Sequence, residues 1–115
     1  MRKVLAVVLF LVGFSNIAFA NHVNGPEGVP GKDSLAAISE TLPCGKLTIA
    51  SDLRENGWAL FFLNDAKNPF LIVKLFAFNI VKMWVDNNQD GHIDELYVDE
   101  NTFYTKYPNE CSVVK

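Results

Sequence analysis

Apolar and polar positions divide the chain into stretches of different character. Met1-Arg2-Lys3 precedes an apolar stretch from Val4 to Val12, and Gly13 to Ala20 ends in the small-x-small triplet Ala18-Phe19-Ala20. A basic start, a short apolar run and small residues at the end follow the grammar of a secretory signal, with cleavage after Ala20. Gly13, Ser15 and Asn16 interrupt the run, which is too short to cross about 30 Å of hydrocarbon as an anchor. Residues 21–32 then carry Gly25, Pro26, Gly28, Pro30 and Gly31 without an apolar face, and read as a flexible arm. Residues 33–115 read as one small globular domain.

Within that domain, Asp33 or Ser34 resembles a helix N-cap, and Leu35, Ile38 and Leu42 follow at helical spacing. Pro43 stops the predicted helix and Cys44-Gly45 turns the chain. Lys46–Ser51 has strand character. Asn56-Gly57 is a tight-turn dipeptide, because both residues tolerate positive φ. Trp58–Leu63 is an apolar run, and Asn64–Pro69 is a second turn. Phe70–Val85 is long, aromatic and β-branched. Its composition favours two strands or one bent strand with a break near Asn79. Val73, Phe76, Ala77, Ile80, Val81 and Trp84 also fit helical spacing, so periodicity leaves a helix open there. Glu95–Asp99 alternates polar and apolar, with Leu96 and Val98 on one face. Asn101–Pro108 is aromatic and has no clear period. The resulting expectation is an α+β fold: a short N-terminal helix packed on a small antiparallel β-sheet, with one disulfide.

Composition adds the compartment. The formal charge is −3, and loss of Arg2 and Lys3 with the signal leaves eight basic against thirteen acidic side chains, a charge of −5. A mature chain of that sign repels nucleic acid and anionic lipid, so neither is an expected partner. Cys44 and Cys111 are the only cysteines. In an exported chain, secreted or periplasmic, such a pair reads as a disulfide, and its wide spacing lacks the Cys-x-x-Cys form of a redox pair.

The remaining chemistry lies in Asp86-Asn87-Asn88-Gln89-Asp90-Gly91-His92-Ile93-Asp94. Oxygen-bearing side chains alternate at Asp86, Asn88 and Asp90, and Gly91 permits the turn that swings the His92 carbonyl towards the same centre. Asp94 adds a carboxylate, directly or through water, and Ile93 is placed to pin the loop in the core. Ca2+ takes six to eight hard oxygen ligands, whereas Mg2+ keeps its waters and a stricter octahedron. Three carboxylates within this loop repel one another unless a cation sits among them. The bland alternative is an Asn/Asp-rich turn whose side chains bond their own backbone.

These residues resemble the Asp-x-Asn-x-Asp-Gly loop of EF-hands, dockerins and the strand-loop-strand calcium sites of integrin-type propeller blades. The resemblance covers this loop alone. An EF-hand has a bidentate Glu at the twelfth position, which is Tyr97 here, and Glu95 lies two residues early. The strand-loop-strand form, with its last acid at the ninth position (Asp94), is the better match. It implies a calcium ion held by Asp86, Asn88, Asp90, His92 through its carbonyl, and Asp94, in a structural role and with weak affinity.

His92 and His22 form a poor zinc set without a free Cys. No nucleophile elbow or His-Glu-x-x-His occurs, so no enzyme is expected. Trp58, Phe61, Phe62, Phe70, Phe76, Phe78 and Trp84 read first as core. If one sheet face stays uncovered, some of them form an exposed patch. That leads to the alternative function, an exported protein-binding module such as an inhibitor or adhesion accessory.

Overall fold

A computed structural model describes residues 25–115. The signal-peptide reading of residues 1–20, and His22 in the arm, lie outside the described residues. The elements are β1 (Ala36–Leu42), β2 (Gly45–Ser51), β3 (Trp58–Leu63), β4 (Leu71–Phe76), β5 (Asn79–Val85), β6 (Glu95–Tyr97) and α1 (Glu100–Lys106). Single 3-10 turns occupy Lys32–Ser34 and Glu110–Ser112. The strands form one antiparallel meander in sequence order, β1 to β6.

This corrects the α+β expectation: the described residues form a β-rich sheet with one short helix, which follows the strands. The segment expected to be an N-terminal helix is β1. It turns at Pro43-Cys44 and pairs residue by residue with β2, from Leu42 opposite Gly45 to Ala36 opposite Ser51. Ser39 Oγ and Thr48 Oγ1 meet across that pair at 3.2 Å. The helical spacing of Leu35, Ile38 and Leu42 was outcompeted by this adjacent hairpin partner. A helix this short nucleates poorly in isolation and depends on packing. Ile38 in fact stays exposed, while Leu35 and Leu42 reach opposite apolar clusters.

Lys46–Ser51 and Trp58–Leu63 are strands as their composition indicates, and Phe70–Val85 is a hairpin rather than a helix. Its break falls at Ala77 and Phe78, which have φ of 51° and 63°. Two consecutive positive-φ residues make the turn whose twist suits a hairpin, normally built from Asn and Gly.

Strands β3 and β4 are apolar on successive residues because the centre of the sheet is covered on both faces. On one face, Leu47, Leu63, Leu71, Val73, Met83 and Val85 pack under Phe70, Phe103, Tyr107 and Val113. On the other, Ala50, Leu60, Phe62, Ile72 and Trp84 are joined by Val29, Leu35, Trp58 and Ile93. Each large side chain buried in this way contributes roughly 1.5–3 kcal/mol. Val29 therefore gives the arm one packed residue, and Lys32 Nζ lies 4.6 Å from the centre of the Phe62 ring.

Asp99 caps α1 by accepting from the Asn101 N–H at 3.1 Å, and Phe103 is the helix's buried residue. The ring of Phe103 packs against Tyr97 and Tyr107. Cys44 and Cys111 form the expected disulfide, Cα–Cα 5.7 Å, across 67 residues of sequence. It ties the β1–β2 turn to the C-terminal 3-10 turn. Closing a loop of that length removes denatured-state entropy worth about 4 kcal/mol in the chain-entropy model. Among the described residues no cysteine is free, and no helix is long and apolar enough to cross a membrane.

Candidate functional site

The acidic loop begins where β5 leaves the core. Met83, Trp84 and Val85 are buried, and Asp86 follows them inward at only 2% exposure. Its backbone N–H donates to the Phe70 carbonyl at 2.9 Å. At the other end, the Asp94 N–H donates to the Val85 carbonyl at 2.7 Å, so the loop leaves and rejoins the sheet at one point. Gln89 turns it with φ of 54° and donates its N–H to the Asp86 carbonyl. Gly91 has φ of +91°, and a Cβ there would stand 3.1 Å from the Asn68 amide nitrogen, so glycine fits on both counts.

Backbone N–H groups organise the carboxylates. Asp86 Oδ1 accepts from the Asp90 N–H at 3.2 Å and Oδ2 from the Gly91 N–H at 2.8 Å. Asp90 Oδ1 accepts from the His92 N–H at 2.8 Å. The Asp86 and Asn88 side chains also lie in the electrostatic surroundings of the Asp90 carboxylate. Burial pushes Asp86 above the usual carboxylate range. The Gly91 and Asp90 N–H groups oppose that, and the adjoining Asp90 carboxylate adds to it. Asp90 is held below the usual range, first by the His92 N–H and then by the Asp86 and Asn88 side chains.

Of the predicted ligands, Asp86 and Asp90 are brought together by the Asp90 N–H bond to Asp86 Oδ1. Asp94 is turned aside: its Oδ2 accepts from the Asn87 N–H at 2.9 Å. The His92 side chain projects into solvent, with Nδ1 3.8 Å from Asp90 Oδ1. Ile93 is half-buried against the Trp84 cluster. Among the described residues, no group of three or more His, Cys, Asp or Glu side chains is placed to hold a metal ion. The two carboxylates of Asp86 and Asp90 are hard oxygen groups of the kind Ca2+ accepts.

Sequence reasoning passed over the loop's even positions. Asn87 is buried, and its amide donates to the Val113 carbonyl at 2.7 Å and to the Tyr107 hydroxyl at 3.2 Å. Gln89 Oε1 accepts from the Leu63 N–H at 3.0 Å, fixing the loop to the end of β3. Alternation marks every second residue as a ligand, and no sequence signal distinguishes the intervening amides from solvated ones.

Glu95 is not a ligand stand-in but the centre of a separate cluster. Its carboxylate accepts from Tyr97, Tyr107 and Lys106. Burial raises Glu95, but these donors outweigh it and leave the group below its ordinary value. The Tyr97 hydroxyl is raised by burial and by Glu95. This cluster fastens β6 to α1 and the residue that follows it.

The aromatic side chains divide between core and surface. Phe62, Phe70 and Trp84 are buried, and Trp58 and Phe61 partly so, whereas Phe76 and Phe78 at the β4–β5 tip are 63% and 70% exposed. Leu96 and Val98 are both exposed, and Val98 lies in a bend beyond β6, so the expected strand alternation does not reach it. No protein-family model, curated protein or solved structure matches this chain.

Proposed function

We propose that this chain is an exported, disulfide-closed domain that binds one Ca2+ at Asp86, Asn88, Asp90, the His92 carbonyl and Asp94, in a structural role. The observation that carries the reading is the buried Asp86 carboxylate, which accepts the Asp90 N–H at 3.2 Å and so sits beside a second acid in one tight loop. Two neighbouring acids in a tight loop repel one another, and near neutral pH a divalent cation relieves that repulsion. Asp94 joins such an ion through water, or directly by releasing the Asn87 N–H. The ion would neutralise the loop and fix the β5–β6 connection.

The test is a calorimetric and thermal-shift titration of the oxidised protein. Affinity in the range of extracellular modules, about 10⁻⁴–10⁻³ M, is expected, with a rise in melting temperature. Absence of both heat and thermal shift up to about ten millimolar Ca2+, well above that range, leaves only an acidic turn.

A second reading rests on the β4–β5 tip, where Phe76 and Phe78 stand out from a turn braced by its neighbour. Asn56 Oδ1 accepts the Ala77 N–H at 2.9 Å, and the Glu55 carbonyl accepts the Phe78 N–H at 2.8 Å. Exposed aromatics held rigidly suit a protein-binding module. A defined partner from the extracellular fraction, retained by wild type and lost by a Phe76→Ser/Phe78→Ser double variant, supports this reading. Equal retention by both proteins removes it.

A further inference from the structure

We propose that the cavity between the sheet and the C-terminal layer is a binding site for a small apolar molecule with a cationic head, an aryl- or alkylammonium. The cavity measures about 230 Å³ and lies on the face opposite Trp84 and Ile93. Its floor includes Ala59, Phe61 and Val73, and its cover includes Phe103 and Val113. An apolar cavity of about 150 Å³ stays dry and takes up benzene, so this larger space holds a phenyl ring with a short alkyl stem.

The mouth decides the head group. Tyr104, half-exposed, and Glu110 both line the cavity, and among the described residues no Lys or Arg does. Burial and the negative charges of Glu100 and Glu110 all raise the Tyr104 hydroxyl, which places both carboxylates in its electrostatic surroundings. The cation on α1, Lys106, is engaged by Glu95. An ammonium at the rim would meet a carboxylate and an aromatic ring, the two surfaces that favour cations. A carboxylate head in the same place would meet like charge.

The experiment uses three probes with one apolar body: 4-phenylbutylamine, 4-phenylbutanol and 4-phenylbutyrate. Each is titrated into the oxidised protein in EDTA, so the outcome stands whatever the acidic loop binds. Binding is read by calorimetry and by amide NMR shifts at cavity residues. The amine should bind most tightly and the acid most weakly, with about five- to tenfold between them, the scale of rim ion pairs. Glu110→Gln should narrow that interval by about threefold and leave the alcohol unchanged. Ala59→Leu, which fills the floor, should weaken all three by more than about tenfold while the melting temperature holds. The proposal is overturned if no probe binds up to about 10 mM, or if the three heads bind alike. Unchanged binding in a folded Ala59→Leu variant would move the site away from this cavity. Should that variant fail to fold, the Glu110→Gln comparison alone decides, because it leaves the core untouched.

Discussion

The side-chain amide of Asn87 donates to the backbone carbonyl of Val113 at 2.7 Å, so the second residue of the acidic loop holds the end of the chain. The Lys115 N–H returns a bond to the Asn87 carbonyl at 2.9 Å. The loop, the covering layer over the sheet and the cavity roof are therefore mechanically joined. The disulfide secures the same layer at Cys111. A change at the loop should thus be felt at the C-terminus, although the two are far apart in sequence.

Asn87→Ala tests that joint. It removes two side-chain hydrogen bonds and leaves a buried carbonyl without its partner, costing about 2 kcal/mol or somewhat more. Urea unfolding of oxidised protein measures it, and amide exchange at Val113 to Lys115 should rise. A variant as stable as wild type, with unchanged exchange there, would show that the disulfide alone secures the terminus.

Much of the sheet was legible because strand signals were local. Trp58–Leu63 is apolar and bounded by turn residues, and it forms β3 at those bounds. The N-terminal segment was misread because Leu35, Ile38 and Leu42 satisfy a helical period by spacing alone. What decides their conformation is the partner strand beyond Pro43-Cys44. The acidic loop was legible in its turn chemistry, since Gly91 has the positive φ its position requires. The aim of Asp94 was not, because its contact with the Asn87 N–H depends on the folded loop. The role of Asn87 was hidden for a similar reason: its partners, Tyr107 and Val113, come from distant sequence.

The β4–β5 turn offers a gain in stability. Ala77 and Phe78 both occupy the left-handed region, which costs L-residues roughly 1–2 kcal/mol each. Phe78 is largely exposed, so little packing is lost by replacing it. Ala77→Asn/Phe78→Gly supplies the residues this turn prefers and should stabilise the fold by about 1 kcal/mol, less than the summed strain because glycine loses more entropy on folding. Thermal unfolding checks the direction. A fall in melting temperature would mean that the Phe78 side chain contributes packing that outweighs its strain.

Glu95 sets an acid limit. Burial raises its pKa, but the hydrogen bonds from Lys106, Tyr107 and Tyr97 win and place the folded value below the ordinary 4.5. A depressed carboxylate favours the fold when ionised. Its contribution is therefore complete above pH 4.5 and lost as pH falls through the folded value. Glu95→Gln should destabilise the protein at pH 7 by roughly 2 kcal/mol, the scale of hydrogen bonds to a charged group. It should also flatten the loss of stability between about pH 5 and 3. Urea midpoints across that range give both numbers, and an unchanged acid slope would assign acid sensitivity to other groups.

Asp90 separates the calcium reading from the acidic-turn reading. Asp90→Asn keeps an oxygen to accept the His92 N–H and removes the negative charge beside Asp86. Without calcium, its stability at neutral pH should hold or fall slightly, since the depressed Asp90 favours the fold when ionised while the Asn oxygen still accepts the His92 N–H. With calcium, wild type should gain about 2.7 kcal/mol at free ion about 100 times its dissociation constant. Asp90→Asn should lose most of that gain, having lost a ligand carboxylate. Asp86→Ala should lose the gain too, but should also be weaker without calcium, because the Asp90 and Gly91 N–H groups then have no acceptor. His92→Ala should behave like wild type, since only the backbone of that residue is assigned to the ion. Parallel melting curves in EDTA and in calcium distinguish these patterns. An Asp90→Asn protein that keeps the full calcium shift would place any bound ion elsewhere, and loss of the shift in His92→Ala alone would point to a site built on the imidazole.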